Sequence, residues 1–260
     1  MESTFAALPN APSKTNGEVV IRVRDLHKGF GEKKVLCGFD LDVHRGENVM
    51  VLGKSGSGKS VLIKCIVGLL RPERGSVQVL GQDVLSLGQE DLDRLRVRIG
   101  FLFQSSALYD SMTVRENLEF PLRRHWFKQE ADERDALVKE ALENVGLEHT
   151  ANMYPSELSG GMRRRIGLAR TLILKPEVVL YDEPTTGLDP ITGKEIVELI
   201  LRLQRKYGTS SVIISHDMNV ARLAANRVAV LIDGRNHAEG GYDDLRAMTD
   251  PLVEQFFIFM

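Results

Sequence analysis

Runs of apolar residues, and the spacing of polar residues between them, divide the chain into predicted strands and helices. Residues 47–53 form a nearly continuous apolar run, which is typical of a strand buried on both faces of a sheet, and residues 177–183 repeat this pattern. Residues 19–25 and 35–43 alternate apolar and polar positions, which indicates strands with one solvated face. Helical periodicity follows at 59–70. The remaining predictions are strands at 76–80, 98–103, 210–215 and 227–233, and helices near 89–97 and at 190–206 and 217–225.

Buried strands that alternate with helices favour an α/β fold with a largely parallel sheet and helices on both of its faces. The stretch 113–174 shows mainly helical patterns, so we expect a helical subdomain at about 105–175, inserted into the α/β core. The main domain is expected to cover residues 18–240. The predicted flanking segments are a disordered tail at 1–17, rich in Ser, Pro and Asn, and a C-terminal helical tail at 241–260.

Composition narrows the classes of partner that the chain is expected to bind. Its 260 residues are 43% hydrophobic and carry a net charge of −2, so the strong basic excess usual in nucleic-acid binding is missing. We therefore expect no nucleic-acid partner. No apolar run reaches the about 20 residues that a transmembrane helix needs, so we expect a soluble chain that reaches a membrane through a partner subunit.

The sequence GKSGSGKS at 53–60 matches the complete phosphate-binding loop, or P-loop, and lies between a buried strand and a helix, as that motif requires. Its glycines allow backbone N–H groups to surround phosphate oxygens, and the helix N-terminus adds a favourable dipole. Lys59 is predicted to reach the β- and γ-phosphates, and the Ser60 hydroxyl to bind Mg²⁺. The predicted nucleotide-binding residues of this segment are Gly53, Lys54, Ser55, Gly56, Ser57, Gly58, Lys59, Ser60 and Val61, whose side chain is expected to point into the core.

Polar residues follow three further buried strands. Asp182 and Glu183 end one of these strands, and because ligands of parallel sheets bind beyond the carboxyl ends of the strands, both are expected near the P-loop. We predict Asp182 as a Mg²⁺ ligand and Glu183 as the base that orients and activates the attacking water. His216 would donate to the γ-phosphate in the transition state. Gln104 would bind the metal or orient water.

In this order, the motifs resemble those of the ATP-binding cassette (ABC) ATPases, over about residues 19 to 240. The matching segments are Phe30 before Gly31, the P-loop, Gln104 in FLFQ, LSGGM at 158–162, VVLYDE at 178–183, the turn Gly187-Leu188-Asp189, and His216. The resemblance implies a P-loop NTPase core with a largely parallel sheet, an antiparallel β subdomain and an inserted α-helical subdomain. It also implies ATP and Mg²⁺ as cofactors, Phe30 stacked on adenine, Gln104 as a link to a membrane partner, and Asp189 at a dimer interface.

The segment LSGGMRRR at 158–165 has two glycines inside a helical pattern, and each weakens a helix by roughly 1 kcal/mol relative to alanine. In ABC ATPases this signature segment caps the nucleotide of a second subunit. The resemblance therefore implies that Ser159, Gly160 and Gly161 face a γ-phosphate across the interface, in a head-to-tail twofold dimer of two copies that encloses two ATP molecules. Met162 stands where glutamine is usual, and we expect ATPase activity to survive this change.

Three longer strings resemble, more narrowly, the ATPases of Mla/Mce-type lipid transporters. They are FQSSALYDSMTVRENLEFPLRRH at 103–125, PSELSGGMRRR at 155–165 and DEPTTGLDPIT at 182–192. This resemblance implies transport of phospholipids or other lipids in the bacterial cell envelope. The implied partners are a multi-span permease in the inner membrane, docked along residues from about 104 to 122, and an Mce-domain lipid-binding protein. The chain would then lie on the cytoplasmic face of the inner membrane.

Two alternatives remain open, because an ATP-binding cassette itself touches no transported substrate and a shared fold does not fix function. The chain could serve an ABC transporter of another substrate, or it could be a soluble ABC ATPase that drives a cytosolic process. Two smaller expectations concern its surface. The arginines at 163–165 are expected to form a solvated helix face, and the terminal FFIFM to pack on its own subunit or on its twin.

Overall fold

The computed structural model of the chain describes residues 17–124 and 131–258. Its strands are β1 (Val19–Phe30), β2 (Lys33–His44), β3 (Asn48–Leu52), β4 (Arg74–Val79), β5 (Gln82–Asp83), β6 (Ile99–Leu102), β7 (Val178–Asp182), β8 (Ser210–Ser215), β9 (Arg227–Ile232) and β10 (Arg235–Gly240). Its helices are α1 (Lys59–Ile66), α2 (Gln89–Val97), α3 (Val114–Arg124), α4 (Ala131–Val145), α5 (Gly160–Leu172), α6 (Pro190–Tyr207), α7 (Met218–Ala224), α8 (Tyr242–Arg246) and α9 (Pro251–Glu254).

Two sheets organise these elements. The larger has six strands in the order β10-β9-β3-β8-β7-β6, and all its pairs are parallel except β9 with β10. Every residue of β3, β7 and β8 is buried, which explains their continuous apolar patterns. The smaller sheet, β2-β1-β4-β5, is antiparallel throughout, and its first two strands have the alternating burial that their sequences indicate.

The larger sheet separates two hydrophobic cores, because successive side chains of a strand point to opposite faces. In β3, Met50 and Leu52 join the core built with α5, α6 and α7. Val49 and Val51 join the other core, built with α1 and the antiparallel sheet. Burial on both faces fixes the height and register of β3, and therefore the position of the loop that follows it.

Helices α3, α4 and α5 lie between β6 and β7 in the chain, and their buried residues contribute to the first of these cores. The C-terminal tail also packs there, with the Phe257 ring 5.6 Å from that of Tyr242. The described part of the FFIFM segment thus contacts its own subunit. Phe259, Met260 and the predicted tail before Gly17 lie outside the described residues.

Among the elements that differ from the prediction, three have a local cause in the backbone or the sequence. The pattern does not predict β10, because Ala238 is its only apolar residue; a two-residue turn at Asp233 and Gly234, both with positive φ, pairs it with β9. Strand β1 continues past the predicted end at residue 25. Asp25 has a positive φ, and the pairing of β1 with β2 shifts register at this point and then resumes. Helix α1 stops at Ile66 because Gly68, with φ +71°, ends it.

Gly75 offers a test of how tightly the antiparallel sheet is built. A Cβ at Gly75, where φ is +100°, would lie 2.5 Å from the Arg24 carbonyl oxygen and closer still to that of Asp25. We expect Gly75→Ala to lower the free energy of unfolding by about 2 to 5 kcal/mol, because backbone strain and steric overlap add. Gly81→Ala is the matched control: φ there is +77° and nothing lies within 4 Å, so strain alone should cost about 1 kcal/mol. Equal losses in denaturant unfolding would contradict this account.

Candidate active site

The P-loop connects β3 to α1 and leaves the start of that helix open to an anion. Gly58 precedes the helix with φ +106°, no side chain caps it, and its first turn has no acidic residue. The first N–H groups of α1 therefore have no competing side-chain acceptor. Close packing explains why this loop is glycine-rich, since a Cβ at Gly53 would lie 2.7 Å from Ser57 Oγ and one at Gly58 would lie 2.6 Å from Val35 Cγ1.

An open cleft of about 520 Å³ lies over this loop. The predicted site residues that line it are Phe30, Ser55, Gly56, Gly58, Lys59, Ser60, Val61, Gln104, Glu183 and His216. Lys54 and Ser57 line a second cavity of about 490 Å³, which borders the same loop. Three cleft residues were not predicted from the sequence: Lys33, Val35 and Thr186.

The polar residues converge because four neighbouring parallel strands end at one edge of the sheet. In the order β3-β8-β7-β6, these strands lead into the P-loop, His216, Glu183 and, two residues past β6, Gln104. The ends of parallel strands are brought together by the sheet itself, with no need for a long loop. The sequence prediction of a shared strand-end site therefore agrees with the observed geometry.

Lys59 is buried, and its ammonium group bonds to the loop in which it lies. Its Nζ donates to the carbonyl oxygens of Gly53, at 2.8 Å, and Lys54, at 3.1 Å. The same Nζ lies 3.5 Å from Glu183 Oε1. A buried cation needs such partners. The arrangement holds one positive charge at the centre of the loop, where the sequence predicts the β- and γ-phosphates.

Glu183 connects three residues of the cleft. Its Oε2 accepts hydrogen bonds from His216 Nδ1, at 2.9 Å, and from the Thr186 hydroxyl, at 3.1 Å, while its Oε1 faces Lys59. Since a carboxylate only accepts, the contact requires a proton on His216 Nδ1. Glu183 also has φ +49°, an uncommon conformation for a residue with a side chain, and its N–H donates to Ile214 O at 2.8 Å.

Asp182 lies behind the cleft, where its Oδ1 accepts a hydrogen bond from Ser60 Oγ at 2.9 Å. Burial raises the pKa of this carboxyl, the Ser60 hydrogen bond opposes the shift, and the negative charge of Glu183 adds to it. The ionised form of Asp182 is therefore disfavoured until a positive charge comes near. Oxygen donors from Asp182 and Ser60 at this separation fit a hard divalent cation such as Mg²⁺.

Phe30 stands at the open end of the cleft, at the last position of β1. Its side chain is 50% exposed, and Lys28 Nζ lies 5.2 Å from the ring centroid. A half-exposed ring beside a phosphate-binding loop is available for stacking on a base. The predicted contact with adenine therefore remains compatible with the position of Phe30.

The signature residues and Asp189 do not line this cleft. Ser159 caps α5 and accepts a hydrogen bond from Met162 N at 3.2 Å, and Asp189 caps α6 through Ile191 N at 3.1 Å and Thr192 N at 3.0 Å. Ser159, Gly160 and Asp189 are exposed. Within one chain, the residues predicted to bind nucleotide therefore form two separate surfaces.

Packing within its own chain explains why one of the two signature positions is glycine. A Cβ at Gly161 would lie 2.8 Å from Thr192 Cγ2, whereas one at Gly160 would meet only Leu188, at 3.6 Å. Gly161 thus allows the first turn of α5 to approach the first turn of α6. Gly160 has no such constraint, so it remains available to the predicted phosphate contact.

The prediction that residues 163–165 form a solvated face is wrong for Arg164. Arg163 is exposed and Arg165 is partly exposed, with an ion pair to Glu195 at 2.7 Å. Arg164, by contrast, is only 5% exposed. Its guanidinium donates to backbone carbonyl oxygens of two other segments. A run of identical charges cannot show which of its members faces inward, because that depends on the rotation of the helix about its axis.

Comparison with known proteins identifies the family. Residues 36–186 match the family described as ABC transporter. The chain belongs to this family. The relationship confirms the resemblance inferred from the motifs, and the chain carries an ABC ATPase domain.

Several relatives in this family have names that differ in substrate. A probable ribonucleotide transport ATP-binding protein, mkl, of Mycobacterium leprae is 40% identical over 92% of this chain and 68% of its own. The methionine import ATP-binding protein MetN of Bifidobacterium longum is 40% identical over 94% of this chain and 61% of its own. The chloroplastic protein TRIGALACTOSYLDIACYLGLYCEROL 3 of Arabidopsis thaliana is 38% identical over 94% and 74%. The chain thus spans about two thirds of the length of these relatives.

A solved structure confirms the predicted fold. The ATP-binding cassette MJ0796, in a dimeric post-hydrolysis state bound to ADP and Pi, matches with a TM-score of 0.78 and 33% identity, over 85% of this chain and 98% of that one. Among the helices of residues 17–124 and 131–258, none is both long and apolar enough to cross a membrane.

The raised pKa of Asp182 leads to a stability prediction. Because the folded-state pKa exceeds the unfolded-state value, folding takes up a proton in the window between them, and this contribution to stability falls as pH rises through it. Asparagine removes the ionisation and can still accept from Ser60. We expect Asp182→Asn to be more stable than wild type at pH 7, with the difference vanishing below about pH 4.

Asp189→Asn is the control of opposite sign. Hydrogen bonds from the Thr192 side chain and from the α6 backbone hold the pKa of Asp189 below its usual value. Its stabilising contribution is present at neutral pH and is lost as pH falls through the folded-state pKa. Thermal unfolding across pH should therefore show Asp189→Asn less stable than wild type at pH 7. An Asp182→Asn variant that is less stable than wild type at pH 7, as Asp189→Asn should be, would show that burial does not disfavour the charge of Asp182.

Proposed function

We propose that the chain is the ATP-hydrolysing subunit of an ABC transporter for lipids, working as a homodimer that encloses two ATP molecules. The observation that carries this proposal is the separation of the signature surface from the cleft in one chain. The cleft holds the P-loop, Glu183 and His216, while Ser159 and Gly160 are exposed on a different surface. A second copy, related head to tail, would place each signature surface over the other chain's cleft.

Within the cleft, each part of the nucleotide has a proposed contact. Phe30 stacks on adenine, the backbone N–H groups of residues 53–60 surround the phosphates, and Lys59 binds the β- and γ-phosphates. Ser60, Asp182 and Gln104 would hold Mg²⁺ through oxygen atoms, and the ion would neutralise phosphate charge.

Phosphate binding should also free the catalytic base. Glu183 Oε1 lies 3.5 Å from Lys59 Nζ, so the proposed base and the residue that would bind phosphate are close to one another. A phosphate on the P-loop gives Lys59 a stronger partner than the present carbonyl oxygens. Glu183 then orients and activates the attacking water, and His216 holds the opposite oxygen of the carboxylate. When its ring carries both protons, His216 can also donate from Nε2 to the γ-phosphate.

The dimer completes the site through α5. Ser159 and the first N–H groups of that helix would contact the γ-phosphate of the partner, and Asp189 would lie at the interface. ATP thereby joins the two subunits, and hydrolysis allows them to part. The permease would convert this closure and opening into movement of its substrate.

The segment after Gln104 supports docking to a membrane partner. It carries Tyr109, which is 42% exposed although it is aromatic. The Asn117 side chain accepts a hydrogen bond from Tyr109 N at 2.8 Å and donates one to the Tyr109 carbonyl oxygen at 3.0 Å. Arg170 donates to Ser106 O at 2.9 Å. An apolar side chain on a loop fixed in this way suits a permanent contact. We propose that the permease binds here and holds the chain at the cytoplasmic face of the inner membrane.

Lipid as the transported substrate rests on the Mla/Mce-like strings and on a relative whose name contains that of a glycolipid. An Mce-domain protein is the further partner that this type of transporter implies. Relatives named for ribonucleotide transport and methionine import have a similar sequence identity to this chain, 40% each. They favour the alternative of a transporter for another substrate. A soluble ABC ATPase without a permease is the remaining possibility.

Glu183→Gln tests the catalytic and dimeric parts of the proposal. Glutamine preserves the shape of the side chain and removes the base, so kcat should fall by at least about 100-fold while ATP still binds. The variant should accumulate as an ATP-dependent dimer in size-exclusion chromatography with light scattering. The double variant Ser159→Arg/Glu183→Gln is the control: it should bind ATP and stay monomeric. Wild-type turnover by Glu183→Gln would exclude Glu183 as the base.

Purification from membranes tests the transport part. The tagged full chain, extracted in mild detergent, should bring down a multi-span membrane protein, and Tyr109→Glu should weaken that recovery without changing ATPase activity. Lipid extraction and mass spectrometry of the complex should find a bound phospholipid or other lipid. Recovery of soluble proteins only would overturn the transporter assignment. The lipid assignment would be overturned if a nucleotide or an amino acid stimulated the ATPase activity of the purified complex and lipids never did.

A further inference from the structure

Arg164 is a buried cation that bonds only to neutral groups. Its side chain is 5% exposed, and no carboxylate of residues 17–124 and 131–258 forms an ion pair with it. Burial lowers its pKa, and no neighbouring negative charge opposes the shift. Arg163 and Arg165, by contrast, reach solvent. Burying a charge without an ionic partner is costly, so the value of Arg164 lies in the groups to which it donates hydrogen bonds.

The two acceptors of Arg164 belong to two loops that line the nucleotide cleft. One guanidinium nitrogen donates to Phe103 O at 3.1 Å, and the other donates to Thr186 O, also at 3.1 Å. Phe103 directly precedes Gln104, which faces the cleft. Thr186 holds Glu183 through its hydroxyl, at 3.1 Å. One side chain of α5 thus bonds both to the segment that precedes Gln104 and to the segment that follows Glu183.

Arg164 also lies one helical turn after the exposed start of α5. Gly160 and Gly161 open this helix, and the close approach of Gly161 to Thr192 holds its first turn against α6. Two hydrogen bonds from one guanidinium therefore join the segments at Phe103 and Thr186 to the helix that carries the signature surface. The planar, forked guanidinium can reach two carbonyl oxygens in fixed directions.

We propose that Arg164 is a positioning residue that couples the two ATP sites of the dimer, by holding the signature helix to the Gln104 and Thr186 loops of its own cleft. This inference rests on the proposed dimer, in which α5 caps the nucleotide of the partner. Nucleotide binding in one cleft moves or fixes these two loops. Arg164 transfers the change to the surface that closes the other site, so that hydrolysis requires both sites to be in place.

Arg164→Met separates this role from a structural one. Methionine fills a similar volume without charge but removes the donor to Phe103 O and Thr186 O, so the midpoint of thermal unfolding should fall modestly, and kcat is compared at a temperature below it. ATP affinity of the monomer, measured in the Ser159→Arg background where dimers cannot close, should be unchanged. The kcat should fall between about tenfold and 100-fold, because the signature and the base are no longer held in register. In the Glu183→Gln background, Arg164→Met should raise the ATP concentration needed for dimerisation.

Two further variants complete the experiment. Arg165→Met, in the same run of arginines, removes a surface ion pair and should keep wild-type kcat. Arg164→Lys keeps the cation but lacks the fork, so its kcat should lie between those of Arg164→Met and wild type. Wild-type kcat in Arg164→Met, or a loss of monomer ATP affinity as large as the loss in kcat, overturns the proposal. If Arg164→Met does not fold, wild-type kcat in Arg164→Lys overturns it.

Failure of the dimer itself would be seen separately. Glu183→Gln retains Arg164, so the absence of an ATP-dependent dimer in that variant refutes the proposed function before any Arg164 variant is compared. With a dimer present in Glu183→Gln, the measurements on Arg164→Met address the coupling alone.

Discussion

The parallel pairing of β3, β8, β7 and β6 is the constraint on which the site depends. These neighbouring strands are buried on both faces of the sheet, so a shift of one residue in any of them would place side chains in the wrong core. Fixed registers place their carboxyl ends, and hence the P-loop, Glu183 and His216, at one edge. The precision of the cleft is therefore a product of the hydrophobic core, and the polar residues at its edge need few contacts of their own.

The charged residues at this edge suit a ligand that carries both negative and positive charge. Lys59 is buried with carbonyl oxygens and Glu183 as partners, while Asp182 is buried where its own charge is disfavoured. A phosphate would improve the surroundings of Lys59, and a divalent cation those of Asp182. Each partner alone would correct one of these environments, whereas a nucleotide with its metal ion corrects both. This complementarity is independent of any named relative and agrees with the family.

The sequence was sufficient where burial alone sets structure, and insufficient where tertiary contacts do. The apolar runs at β3, β7 and β8 placed the strands, and the motifs after them placed Lys59, Glu183 and His216. Strand β10 could not be found because its stability comes from pairing with β9 across a turn. Thr186 and Arg164 were missed for a related reason, since their roles lie in contacts with Glu183 and Phe103, and local composition does not record these.

The run LSGGMRRR illustrates how several requirements can share one short helix. Its glycines reduce local helix stability, and only Gly161 recovers part of this loss, by allowing contact with Thr192. Arg164 adds a buried charge beside them. Local stability alone does not account for three such choices within five residues. Each is explained by the proposed dimer, in which the segment forms part of a second molecule's active site and also responds to the first.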